Sequence, residues 1–443
     1  MASDLTGIRE KAGREPKLRF TSLYHHVSGV EALRESYVRV ELDKAPGVDG
    51  MTKDEYGEQL QGNLENLSQR LGRQGYRPQP VRRVYIDKAG SRKKRPLGIP
   101  TVEDKIVQMA VTRVLSAIYE ADFLACSYGY RPQRSCHEAL GGLGRTIQQA
   151  KVNWIVEADI RGFFDHVNHE WLMKFLGVRV GDPRVLRLIE KMLKGGVMED
   201  GIVRASEEGT PQGGILSPLL SNVYLHYVLD LWFERRFRAQ CRGETYLFRY
   251  ADDFVVCFQY REEAERFLKE LEARLRQFHL EVEPSKTQLL RFGRFAQQDA
   301  ARDGKEVETF DFLGFTHYCG QTRAGDFKLQ RRTAAKKMRA KLLEITGWLR
   351  RQRHQERAGT LLQSAKRRLQ GHLNYFAVTD NSRQCEAFRY QFECALYKWL
   401  NRRSQRRSYT WEQFRSALNW VRWPRVRIQR SLDPCERVGL KPC

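Results

Sequence analysis

The sequence predicts an α+β region followed by a basic, all-helical segment, and three observations carry that expectation. Strand-like and helix-like patterns alternate between Asn153 and Tyr318 in the order strand, helix, hairpin, helix, strand. This is the signature of a sheet packed on one face by helices. Past Gly320 the strand signals stop and apolar residues recur at helical spacing. Charge follows the same division: Lys and Arg number 77 against 54 Asp and Glu, a net charge of +23. Residues Gln321 to Arg430 alone hold 27 basic and 7 acidic residues, +20 of that total. A polyanion such as nucleic acid is the expected partner, bound by a different part of the chain from the part that does chemistry. A length of 443 residues predicts two or three domains.

Residues 1 to about 45 read as a helical lead-in, with Leu23, Val27, Val30, Leu33 and Tyr37 roughly one turn apart. "KAPGVDG" from Lys44 is turn chemistry. In "VRRVYIDKAGSRKKRPLGIP", Val81, Val84 and Ile86 predict one strand and Leu97 and Ile99 another, joined by a basic hairpin tip from Asp87 to Arg95. A helix is expected over Val102 to Tyr119. Another should start at Ser135, whose Glu138 three residues on completes a capping box. "NWIVEADIRGFFDHV" is an apolar strand ending in Asp159, and "EGTPQGGILSPLLSNVYLHYVLD" is a Gly/Pro-rich loop leading into a helix. "TYLFRYADDFVVCF" has the pattern of a hairpin, and a charged helix follows it. In the basic segment, helical spacing links Met338, Leu342, Ile345 and Leu349, then Leu362, Ala365, Leu369 and Phe376, then Phe388, Phe392, Leu396 and Trp399.

The nine cysteines include no C-x-x-C pair and none beside a histidine at ligand spacing, so no zinc site is expected. The first residues contain no apolar signal region, and no run of about 18 apolar residues occurs. These features predict a soluble cytoplasmic protein with reduced thiols.

Two adjacent carboxylates, Asp252 and Asp253, interrupt the apolar hairpin. Adjacent aspartates most often mark a solvated turn. Here the β-prone flanks place them at a buried sheet edge, where like charges repel unless a cation neutralises them. Hard divalent ions bind through a few carboxylates plus substrate phosphates. Asp159, closing a neighbouring strand, would complete a two-metal site with ions about 3.5–4 Å apart. Phosphoryl transfer also needs cations on the triphosphate, and Lys88, Lys94 and Arg95 in the basic tip are the candidates. Gln212, in the Gly-flanked "TPQGG" turn, can approach a ligand closely. Cys136 and His137 follow a helix cap and read as structural.

The blocks "KAPGVDG", "RPLGIPTVEDKIVQ", "YGYRPQRSCHEAL", "ADIRGFFDHVNHEWL", "GTPQGGILSPLLSNVYLHYVLD", "RYADDFVVCF", "LEVEPSKTQLL" and "FDFLGFTHY" stand in the order seen in bacterial group II intron reverse transcriptases, or intron maturases. "LQGHLNYFAV" and "FECALYKWLNRRSQRRSYTWEQF" resemble that family's maturase, or thumb, domain, so the resemblance runs from about Lys44 to Phe414. It implies a right-hand polymerase: an amino-terminal helical extension over residues 1–45, fingers and palm over 46–320, a basic helical thumb (maturase, X) domain over 321–425, and a short tail over 426–443.

The resemblance further implies that Asp159, Asp252 and Asp253 bind metal, with the Ile160 carbonyl as a further ligand. Lys88 and Arg95, with Lys94 as a third, would contact the incoming triphosphate. Phe164 would be the aromatic gate that excludes a ribose 2′-OH, with Phe163 the alternative. Gln212 would touch the nucleotide, Lys286 would protonate the leaving pyrophosphate, and Phe312 to Phe315 would grip the primer end. Many relatives continue into a His/Cys-rich endonuclease. Cys435 and Cys443 have no histidine among them, so second-strand cutting is not expected, and retrohoming would rely on replication forks or host nicks.

The expected activity is RNA-directed DNA polymerisation in the bacterial cytoplasm, using Mg²⁺ (two ions, Mn²⁺ as a substitute) and dNTPs. The partners implied are intron RNA as template, a DNA or RNA primer and target DNA, with no membrane. Assistance to splicing would be a binding function of the basic segment. The competing readings are a splicing-only RNA-binding maturase, a host-adopted reverse transcriptase serving defence or DNA repair, and an RNA-dependent RNA polymerase.

Overall fold

The computed structural model describes residues 5–41, 45–87, 94–199, 201–204, 208–210, 213–403 and 408–435. Helices α1 (Thr6–Arg14), α2 (His25–Ser28) and α3 (Val30–Arg39) form the lead-in. The expected positions Leu23, Val27 and Leu33 are fully buried. Next come α4 (Lys53–Glu58) and α5 (Leu60–Gly72), the former opened by a reciprocal capping box between Thr52 and Glu55.

Strands β1 (Val81–Asp87) and β2 (Lys94–Ile99) pair antiparallel as their alternation predicts. The basic tip between them, residues 88–93 including Lys88, lies outside the described residues. Helix α6 (Val102–Tyr119) has the expected span, capped by Thr101, which accepts from the Asp104 N–H. Thirteen of its residues are buried, so it forms the axle of the first core. Helix α7 (Cys136–Gln149) starts where expected, with the Ser135 hydroxyl accepting from the Glu138 N–H.

Then follow β3 (Trp154–Asp159), α8 (His169–Arg179), α9 (Pro183–Leu193), β4 (Val197–Glu199), β5 (Ile202–Arg204) and α10 (Ser217–Leu225). Helix α10 runs on through π-helical turns at His226–Asp230 and Phe233–Phe237. The hairpin strands are β6 (Thr245–Tyr250) and β7 (Asp253–Phe258), followed by α11 (Arg261–Gln277), β8 (Gln288–Arg291), α12 (Ala296–Asp303), β9 (Phe310–Phe312), β10 (Phe315–Gln321) and β11 (Phe327–Thr333). A bundle of α13 (Ala335–Gln352), α14 (Ala358–Phe376), α15 (Ser382–Leu400) and α16 (Trp411–Trp420) closes the order.

Three sheets result, ordered β2-β1-β4-β5, β6-β7-β3-β8 and β11-β10-β9. Two expectations need correction. The central sheet is covered on both faces rather than one. Val156, Ala158, Phe254 and Val256 face the helical core around α6, whereas Ile155, Val255 and Cys257 face α7 and the β9–β11 sheet. Both parities of "WIVEA" and "FVVCF" are largely apolar, as two-sided burial demands. Strand signals also do not end at Gly320, because β11 pairs with β10 along its whole length. Its pattern was masked by Arg331, a charged residue on the inward parity with Leu329 and Thr333 and fully buried.

The bundle core takes Ile345, Leu349, Leu362, Ala365, Leu369, Phe388, Phe392, Leu396 and Trp399 from the expected helical stripes. Asn381 fastens it to β11: its side-chain carbonyl accepts from the Thr333 N–H and its amide donates to Thr333 Oγ1, both at 2.8 Å. Beyond α16 the chain doubles back, the Gln429 N–H donating to the Ala377 carbonyl at 2.7 Å. Arg331 then donates to the Leu432 carbonyl at 2.8 Å and to the Leu140 carbonyl of α7 at 3.1 Å. Among the described residues, no helix is long and apolar enough to cross a membrane.

Candidate active site

Strand register brings the expected carboxylates together. In the antiparallel β3–β7 pair, Asp159 stands opposite Asp253, while Tyr250 of β6 stands opposite the same Asp253. Ala251 and Asp252 therefore form a two-residue hairpin loop. Ala251 is left-handed at φ 58°, as a tight hairpin of right-handed twist requires, although alanine rarely supplies it. The turn presses on Gly129 so closely that a Cβ there would lie 2.5 Å from the Ala251 nitrogen, so only glycine fits.

Crowding shows in the acidities. Burial, and then the Asp159 and Asp252 charges, push Asp253 up to about 8. Asp252 is raised by burial and by Asp159, partly offset by its own backbone N–H and by the Arg95 and Lys286 charges. Lys286, on the single turn Pro284–Lys286, hydrogen-bonds Asp159 Oδ2. Burial pulls its pKa down, but the Asp159 hydrogen bond and the three carboxylate charges together raise it above the ordinary lysine value. Among the described residues no three carboxylate, thiolate or imidazole groups already converge on one point. In the triad the Lys286 ammonium holds the Asp159 carboxylate. A cation entering between Asp252, Asp253 and Asp159 would replace that ammonium, and the hard oxygen donors fit a hard divalent ion.

Ile160 forms an isolated antiparallel bridge with Val282. Its neighbours turn toward that segment, since the Asp159 carbonyl accepts from Glu283 and the Arg161 N–H donates to Glu281. By the alternation of an antiparallel ladder, the Ile160 carbonyl faces the opposite side, that of β7. Phe163 and Phe164 lie on a short 3₁₀ turn and are 1% and 8% exposed. Phe163 packs into the core against Tyr224. The Phe164 carbonyl accepts from the Thr210 N–H at 2.7 Å, which ties it to the loop approaching Gln212. Gln212 itself, like Lys88, lies outside the described residues. Lys94 and Arg95 open β2 with exposed side chains, and the Arg95 charge reaches Asp252 and Tyr130.

The Phe312–Phe315 segment is the β9–β10 turn, with Leu313 at φ 50° and Gly314 at φ 82°. The Tyr375 hydroxyl of α14 donates to the Leu313 carbonyl at 2.7 Å. His137 Nε2 lies 2.8 Å from the Tyr375 carbonyl, so the residue read as structural joins α7 to the bundle. Sequence reasoning missed Arg249 and Asp230, a fully buried pair at 2.6 Å beneath the hairpin turn. The available signal was a lone charge in each of two apolar runs, "YLFRY" and "YVLDLWF".

Residues 86–317 match the family described as "Reverse transcriptase (RNA-dependent DNA polymerase)". The group II intron-encoded protein LtrA of Lactococcus lactis subsp. cremoris is 41% identical over 216 residues, 48% of this chain and 36% of that protein. Protein YkfC of Escherichia coli (strain K12) is 35% identical over 281 residues, 55% of this chain and 72% of YkfC. A mitochondrial nuclear intron maturase 1 of Arabidopsis thaliana is 34% identical over 97 residues, 21% of this chain and 13% of that protein. The match thus spans about a third of the length of the LtrA proteins.

Proposed function

Because the chain belongs to the reverse transcriptase (RNA-dependent DNA polymerase) family and to its group II intron maturase branch, we propose that it copies RNA into DNA and binds intron RNA to assist splicing. The observation that carries the reading is the Asp159–Asp253 cross-strand pair with Asp252 in the adjoining turn. The register and the tight loop hold three carboxylates on neighbouring strand ends, from which a small rearrangement and displacement of Lys286 would build a cradle for phosphoryl transfer.

In this reading the β1–β5 region serves as fingers, the central sheet as palm and the α13–α16 bundle as thumb. Asp159, Asp252 and Asp253, with the Ile160 carbonyl, would hold divalent ions, Mg²⁺ with Mn²⁺ as a substitute. When bound, such ions acidify the primer 3′-hydroxyl and neutralise charge on the triphosphate of a dNTP. Arg95, assisted by Lys94 and Lys88, would hold that triphosphate, and Gln212 would contact the nucleotide. Phe164 would close the pocket against a 2′-hydroxyl. The ammonium of Lys286, kept charged by the carboxylates around it, would give a proton to the pyrophosphate oxygen as it leaves. The Leu313–Gly314 turn, braced by Tyr375, would seat the primer end.

The bundle's basic outer faces would take the RNA backbone, with affinity set by counterion release and helical shape. Lys337, Lys341 and Arg368 line a groove of about 480 Å³ on that bundle. Splicing assistance needs no carboxylate, so the two activities should separate. With Mg²⁺, dNTPs and a primed RNA template, the wild-type chain should extend the primer. The Asp252→Ala/Asp253→Ala variant should not, yet it should still bind and help splice intron RNA. Extension by that variant at the wild-type rate would refute the assignment.

A further inference from the structure

We infer that Arg249 is the positioning residue of the catalytic hairpin: its guanidinium fixes the strained turn from which Asp252 and Asp253 project. All five of its N–H groups are engaged in the fully buried interior. Nε and Nη2 fork onto the two oxygens of Asp230 at 2.7 and 2.6 Å. Nη2 also donates to Ser127 Oγ at 2.7 Å, and Nη1 to Asn222 Oδ1 at 3.1 Å. The remaining N–H, on Nη1, donates to the Ala251 carbonyl at 3.0 Å.

That last bond matters because Ala251 is the left-handed residue of the turn. Its carbonyl belongs to the peptide plane leading into Asp252, so fixing that oxygen fixes the direction in which the Asp252 side chain leaves the loop. Asn222 extends the clasp to the far side: its amide donates to the Gly129 carbonyl at 2.7 Å, and Gly129 is the residue on which the turn rests. The acid of the pair is set by the first π-helical turn, which closes on Asp230. Local π-turns recur where a helix must re-aim a functional side chain.

The plainer reading is that Arg249 and Asp230 only stabilise the interior. A buried ion pair is a weak device for that purpose, since apolar residues of similar volume usually do as well. A buried guanidinium needs five acceptors for stability alone, but that need does not require one of them to be the carbonyl of the left-handed residue of the turn. A planar fork that holds four partners at once is what a turn lacking glycine needs in order to keep one conformation.

The inference rests on the polymerase reading above, and its test separates the two. Two variants are compared with the wild type: Arg249→Lys, which keeps the charge but loses the fork, and Arg249→Met/Asp230→Leu, which removes the pair without leaving a buried charge. Primer extension on an RNA template gives kcat and the dNTP KM. Hydrogen exchange of the Tyr250–Asp253 amides in metal-free protein reports the turn directly. Thermal midpoints report the fold.

Both variants should keep a cooperative transition near that of the wild type, lose about 100-fold in kcat through misplacement of the carboxylates, and leave the dNTP KM unchanged. Exchange at the turn should quicken by at least about tenfold while β3 and α6 stay protected. Wild-type kcat and wild-type exchange in either folded variant would overturn the inference. So would a loss of activity that only tracks the unfolded fraction. If the wild-type chain itself fails to extend primers, the polymerase reading falls, and the exchange measurement still decides whether Arg249 holds the turn.

Discussion

The Lys286 ammonium is hydrogen-bonded to the Asp159 carboxylate across 127 positions of sequence, at the open end of the β3–β7 pair. The same oxygen that would hold a metal ion is therefore held by a side chain that can also supply a proton. In the proposed reading Lys286 would serve the chemistry but compete with the ion before substrate arrives.

Replacing Lys286 by Ala should accordingly have effects of opposite sign. Without the competing ammonium, Mg²⁺ should bind the substrate-free protein more tightly in a calorimetric titration. The single-turnover rate of extension should fall about 100-fold, the usual contribution of a positioned acid. A variant with weaker metal binding and an unchanged rate would contradict both roles.

Phe164→Val should reduce discrimination between deoxy- and ribonucleotides by about 100-fold, read as the ratio of kcat/KM values. Phe163→Val should instead lower stability by roughly 1–3 kcal/mol with discrimination intact, since Phe163 is 1% exposed and packs on Tyr224. The reverse outcome would reassign the gate.

RNA affinity should fall steeply with salt. In a plot of log affinity against log salt, Lys337→Ala and Lys341→Ala should each reduce the slope by about 1 and leave extension of an already bound primer unchanged. Both lysines line the bundle groove. An unchanged slope would place the RNA elsewhere.

Acid should weaken the bundle. His372, buried against the Phe388 ring with a 3.5 Å centroid separation, is depressed to about 4 by desolvation and by Lys341. Its folded value lies below the unfolded one near 6.5, so the unfolded chain binds the extra proton. The stability that the neutral ring allows is complete above 6.5 and is lost as pH falls toward 4. At pH 5 the loss is on the order of 2 kcal/mol. Denaturant unfolding at pH 7 and pH 5 should show it, and His372→Phe should reduce the pH dependence. His226, also depressed to about 4 by burial, adds a similar effect in the first core.

Much of the site was legible because it is local or periodic. The Asp252–Asp253 turn follows from two apolar strands flanking two charges, and Asp159 from a strand that ends in an acid. Helix α6 has the span expected for it, Val102–Tyr119. The rest was hidden where a charge stands on an inward parity. Arg331 disguised β11, and Arg249, buried on the same face of β6 as Leu247, could not be connected to Asp230 without knowing that a π-turn brings the two together. Two-sided burial of the central sheet was likewise unreadable in advance, because apolar runs on both parities do not say what covers the second face.

The bond from Arg331 to Leu432 sets a timetable for the chain. The second core holds Leu140 and Leu432 together, with Arg331 donating to carbonyls 191 and 101 positions away in sequence. A core whose first wall is made early and whose last is made almost three hundred residues later cannot close until Leu432 has been added. The helical core around α6, whose last buried member is Leu280, can close earlier. The chain would therefore mature in two stages, and the central sheet would gain its second covering only once synthesis has reached Leu432.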